Sequence, residues 1–156
     1  MWSDSSTHIV LRFDLQDNLS FYATQSSTYP LELETNAVFR DTSAWYHIVA
    51  KVDTTQSTSS DRCKLYVNGS EQTSLSASTY PSQDSTFTAN ASGTTHYVGG
   101  GGDGSYWDGL ITHAHFTDGY AYDASTLAKA IRHQEFGNRK LHPVSYTHLR
   151  AHETDS

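Results

Sequence analysis

The sequence predicts an all-β fold built from two antiparallel sheets, and three observations carry that prediction. Apolar residues alternate with polar ones in several short runs. Turn-forming residues separate those runs at short intervals. No amphipathic helical stretch lies between them, so a two-sheet sandwich is favoured over an alternating α/β arrangement.

The clearest run is Tyr46 to Val52, where Tyr46, Ile48, Ala50 and Val52 share one face and His47, Val49 and Lys51 the other. Asp53 to Asp61 is nearly all Thr, Ser, Gln and Asp, which reads as a solvated loop. Lys64 to Val67 is again strand-like. Asn68-Gly69 supplies the two positive-φ positions of a type I′ hairpin turn, with Ser70 to Thr73 returning. Upstream, Ile9, Leu11 and Phe13 alternate with Val10 and Arg12, and Gln16-Asp17-Asn18 turns this run into Leu19 to Ala23. Tyr29-Pro30 opens a short extended piece, Leu31 to Glu34. Thr86 to Ala89, His96 to Gly99 and Tyr106 to Phe116 complete the expected strands, the last being the most regular.

At 156 residues the chain has room for one domain with a usable core. Only 36% of it is apolar, and the chain is rich in Ser, Thr and Tyr. The net charge is -7, and residues 1–126 hold five basic against fourteen acidic groups, which argues against nucleic acid as a partner. No apolar run has the length of a membrane helix, and the first residues show no secretory leader pattern, so no membrane partner is expected. One cysteine, Cys63, rules out an intrachain disulfide and reads as a bystander strand thiol between charged neighbours. The sequons at Asn18, Asn68 and Asn90 are expected by chance in so Ser/Thr-rich a chain.

The ordered combination of Trp45, Tyr46, His47, the alternating aliphatics and Lys64-Leu65-Tyr66-Val67-Asn68-Gly69 resembles the laminin-G-like, concanavalin A-type lectin/glucanase superfamily. Val98-Gly99, Trp107-Asp108-Gly109 and Phe116-Thr117-Asp118-Gly119 with Ala121 extend the resemblance over about Ser5 to Thr126. It implies a jelly-roll sandwich of the type found in phage and environmental sequences, incomplete at its N-terminus because the family's first strand would precede Met1. Domain boundaries follow from it: 1–126 as a partial sandwich, 127–143 as a frameshifted continuation, and 144–156 as a disordered tail. Val144 to Thr154 resembles a translated sequencing adapter. One base lost at Leu127 would let the following codons spell the family's usual continuation; a helix over Leu127 to Arg132 would then be accidental.

The resemblance implies a non-catalytic, lectin-like module that binds glycans or mediates attachment at a virion or extracellular surface. Its alternative is a structural domain packing against neighbouring subunits of a virion tail or capsid. A glucanase remnant is the third reading, and it lacks the strand-borne carboxylate pattern that a retaining mechanism needs. Glu32 and Glu34 are the nearest candidates and read as solvated carboxylates. For glycan contact the residues singled out are Asp103, Tyr106 and Trp107, which lie in or leave the Gly-rich loop after Gly99. Trp45 is read as a core residue. His113 and His115 share a strand face but lack a third ligand for a metal. No cofactor is expected; calcium at Asp103, Asp108 and Asp118 has no motif behind it.

Overall fold

A computed structural model describes residues 7–87, 89, 92–101, 104 and 106–126, and the backbone of 147–151. Among the described residues nine strands form two sheets, and the all-β, antiparallel expectation holds. The strands are β1 (His8–Phe13), β2 (Asn18–Gln25), β3 (Thr28–Val38), β4 (Tyr46–Val52), β5 (Cys63–Val67), β6 (Ser70–Glu71), β7 (Leu75–Thr79), β8 (Gly109–Thr112) and β9 (Thr147–Ala151). One sheet runs β1-β2-β3-β7, the other β6-β5-β4-β9-β8. The chain divides into two compact units.

The first unit comprises Met1–Phe39, Ala50–Leu65 and Glu71–Thr94. Its sheet begins with the expected hairpin, in which His8 pairs with Thr24 and Phe13 with Leu19. Asp14 holds the turn by accepting the backbone N–H groups of Gln16 and Asn18 at 2.9 Å each on Oδ1. Side chains alternate across the sheet. Leu19, Phe21, Ala23, Leu31, Leu33 and Thr35 are buried on one face, whereas Tyr22, Glu32 and Glu34 share the other. Strand β3 is much longer than the expected Leu31 to Glu34, because the pairing extends past both ends through bulges.

At the far end of β3 the irregular pairing is stitched by side chains. Asn18 donates through Nδ2 to the carbonyls of Thr35 (2.8 Å) and Ala37 (3.2 Å). Thr35 Oγ1 accepts the Leu19 N–H at 3.0 Å and donates to the Ala37 carbonyl at 2.8 Å, which satisfies a hydroxyl with no solvent exposure. The polar loop after β4 is ordered by Arg62, whose guanidinium donates to the carbonyls of Gln56, Ser57 and Pro81.

The second unit comprises Arg40–Val49, Tyr66–Ser70 and Thr95–Ser156. Here the Asn68-Gly69 turn has both expected positive φ values, 51° and 81°. Asn68 does more than turn the chain. Its Oδ1 accepts the His47 N–H at 2.9 Å and its own N–H donates to the His47 carbonyl at 2.8 Å.

Several expectations need correction. Leu75–Thr79, a Ser-rich segment without a strong apolar rhythm, is a strand because it closes the β3 edge. The described residues of Thr86 to Ala89 and of His96 to Gly99 carry no ladder, and Gly100 forms an isolated bridge to Tyr106. Tyr106 to Phe116 contracts to Gly109–Thr112, because His113 takes a left-handed φ of 55° that ends the extended run. Strand β9 pairs its backbone with Tyr46 to Ile48 on one side and with all four residues of β8 on the other. Backbone pairing asks only for an extended segment between two open edges, which explains how a stretch without family resemblance joins the sheet. Residues 127–143, expected as a frameshifted continuation in which a helix would be accidental, lie outside the described residues.

Candidate functional site

The Gly-rich loop of the second unit is closed at its base by local bonds. Trp107 donates its N–H to the Gly99 carbonyl at 2.9 Å, and Gly100 pairs with Tyr106. Gly99 has φ 74°, and a Cβ there would stand 3.5 Å from Ile111 Cδ1 and 3.9 Å from the Trp107 Cβ. Gly104, at φ 83°, donates to the Gly101 carbonyl at 3.2 Å and turns the loop tip.

This closure separates the two adjacent aromatics. Tyr106 is 84% exposed, whereas Trp107 is half-buried beside Gly99. Of the three residues singled out for glycan contact, Tyr106 therefore presents its ring to solvent and Trp107 is in large part a packing residue. Asp103 lies outside the described residues. Tyr97, Phe116 and Tyr120 in the same unit are also more than half exposed. Trp45, expected in the core, is instead 45% exposed: it precedes the first paired residue of β4, so the strand's alternation does not direct it inward.

His113 and His115 come together, though not as strand neighbours. Their rings stack at 6.4 Å with an interplanar angle of 8°, and the Thr112 hydroxyl lies 2.7 Å from His113 Nδ1. Burial, followed by the charge of His113, holds the His115 pKa below the ordinary imidazole value. Among the described residues no three His, Cys, Asp or Glu side chains gather as a metal-binding group. Cys63 is buried in β5, where desolvation pushes its thiol well above the usual value.

A second side-chain cluster, which the sequence reading missed, stands on the outward face of the first sheet. Tyr22 is at its centre. The Arg12 guanidinium lies 5.2 Å from the Tyr22 ring centroid, the His8 ring meets Tyr22 edge-on at 6.0 Å, and the Tyr29 ring is tilted against it at 5.9 Å. Thr24 Oγ1 lies 3.1 Å from His8 Nε2. Glu32 stands opposite Tyr22, and Glu34 Oε1 accepts the Ser76 hydroxyl at 2.7 Å. Glu32 and Glu34 thus share a face of open sheet with an aromatic group between β1 and β3. The sequence signal was available in the period-two parity of His8, Arg12 and Tyr22; Tyr29 could not be placed without the bulge.

A family model described as the concanavalin A-like lectin/glucanases superfamily matches residues 1–124. The fold belongs to the class of concanavalin A-like, laminin-G-like β-sandwich domains. The chain is a member of that superfamily. No curated protein and no solved structure matches it significantly. Among the described residues no helix is long and apolar enough to cross a membrane.

Proposed function

We propose that this chain is a non-catalytic, lectin-like module that binds glycans through an exposed aromatic loop. The observation that carries the reading is Tyr106, whose ring is 84% exposed at the base of a loop closed by the Trp107-to-Gly99 bond. Holding a ring outward on a closed backbone lowers the ordering cost of stacking it on the apolar face of a sugar. Superfamily membership fits a carbohydrate-binding or structural module and does not select a sugar. Attachment at a virion or extracellular surface is the setting in which we place it. The partner is then a glycan, with neither nucleic acid nor membrane required.

A glycan array probed with the wild-type chain and with Tyr106→Ala tests the proposal. Binding by the wild type that Tyr106→Ala reduces about tenfold, a loss of about 1.4 kcal/mol, supports it. Silence of the folded wild type across the array would favour a structural domain that packs against neighbouring subunits.

A further inference from the structure

Five asparagines occur in the chain, and Asn68 is the one followed by glycine; Asn18 precedes Leu19, Asn36 and Asn90 precede alanine, and Asn138 precedes Arg139. That dipeptide carries a chemistry of its own. The peptide nitrogen that follows an asparagine lies within reach of that residue's own side-chain amide carbon, so a five-membered imide ring can close. A side chain on the following residue crowds the closure, and glycine removes the crowding. At Gly69 a Cβ would meet nothing within 4 Å, and Asn68, Gly69 and Ser70 are all exposed. Solvent therefore reaches both the nitrogen that must lose its proton and the ring that must be hydrolysed.

The fold commits the reacting group elsewhere. Asn68 Oδ1 accepts the His47 N–H at 2.9 Å, and the Asn68 N–H donates to the His47 carbonyl at 2.8 Å. The two bonds close a ring between one residue of the turn and one residue of β4, which fixes the Asn68 side chain together with its left-handed backbone, φ 51°. Turning Cγ toward the Gly69 nitrogen must release at least the first bond. That bond also draws electron density from Cγ, as a donor in an oxyanion hole does, and so favours attack once the nitrogen arrives. Position outweighs polarisation, because a nitrogen held out of line has no attack to assist and alignment supplies the larger factor. Release of the two bonds together is worth about tenfold or more in the population of open turn.

We propose that Asn68-Gly69 is a self-modification site that the fold restrains through His47, and that its conversion follows opening of the turn from β4. In the open turn the Gly69 nitrogen gives up its proton to hydroxide and bonds to Asn68 Cγ; the Cγ–Nδ2 bond breaks, and the amino group takes up a proton from water and leaves as ammonia. Water then opens the imide. Addition at Cγ restores the backbone with an aspartate at this position, and addition at the Asn68 carbonyl carbon leaves the chain running through Cγ as isoaspartate. No oxidant or cofactor is consumed. Aspartate keeps an oxygen for the His47 N–H, whereas isoaspartate lengthens the backbone of a two-residue turn by one carbon and cannot restore both bonds to His47. The outcome is a one-way loosening of the β5–β6 hairpin from β4, set by age and alkalinity. It is independent of the glycan-binding reading.

The test is peptide mapping by mass spectrometry of the full chain aged in mildly alkaline buffer, both folded and in unfolding urea, with an isoaspartate methyltransferase scoring the rearranged product. In urea Asn68 should convert ahead of the other asparagines, and in the folded chain it should convert at least about tenfold more slowly. Val67→Ala, which removes packing buried next to the turn, should raise the folded rate toward the unfolded one. Aged wild type should melt below Asn68→Asp. Should Val67→Ala fail to fold, a rise in rate for the wild type in urea below its unfolding transition gives the same reading. Equal rates in the folded and unfolded chain would overturn the restraint, and a faster folded rate would overturn it by making the His47 N–H an activating donor. A folded rate that neither Val67→Ala nor dilute urea raises would overturn its dependence on turn opening. Melting of the aged chain together with Asn68→Asp would overturn the loosening, and no preference for Asn68 in urea would overturn the site itself.

Discussion

Replacing Thr35 by Val should destabilise the β2–β3 pair by about 1–3 kcal/mol while leaving its shape unchanged. Thr35 has no solvent exposure, and its Oγ1 accepts the N–H of Leu19, which is itself fully buried. Val is nearly isosteric with Thr, so no cavity forms. The Leu19 N–H is left without its partner in a place water does not reach, and an unsatisfied buried donor costs about 1–3 kcal/mol. The other bond matters less, because the Ala37 carbonyl that Thr35 serves also accepts from Asn18 at 3.2 Å. Thr35→Ser is the control. It keeps the hydroxyl and removes one methyl, a loss near 0.8 kcal/mol before any cavity effect. Urea denaturation should show the midpoint falling for Val by more than for Ser at an unchanged slope. A Val variant as stable as wild type, or a Ser variant less stable than Val, would refute the assignment of this hydroxyl as the partner of the Leu19 N–H.

Two further outcomes follow from the second unit. Asn68→Gly keeps the positive φ but removes the Oδ1 bond to the His47 N–H, and should cost about 1 kcal/mol; Asn68→Ala adds left-handed strain of about 1–2 kcal/mol, and thermal unfolding should rank wild type above Gly above Ala. The His115 pKa is held below the ordinary imidazole value of 6.5 in the folded chain, so the folded form favours the neutral ring; its contribution is present above pH 6.5 and is lost as pH falls through the lowered folded value. Stability measured from pH 7.5 to 5 should therefore decline less for His115→Asn than for wild type, and an unchanged slope would show that His115 does not contribute to that decline.

Legibility in the sequence varied with the range of the interaction involved. The β1–β2 hairpin, β4 and the Asn68-Gly69 turn could be read directly, because alternation and turn chemistry are local. Leu75–Thr79 could not, since its status comes from the β3 edge it pairs with. Tyr106 and Trp107 were both legible as site candidates, yet only the closure of Gly99 to Trp107 separates the outward ring from the packed one.

By itself the sequence determined the all-β class, the superfamily and the position of the turns, since period-two burial and positive-φ residues act within a few positions of the chain. Tertiary structure decided which face each aromatic occupies. A single extra residue in β3 reverses Tyr29, and that residue is visible only in the register against β2. Likewise, Trp45 lies at the edge of a paired segment whose start is set by its partner strand, and its exposure follows from where pairing begins.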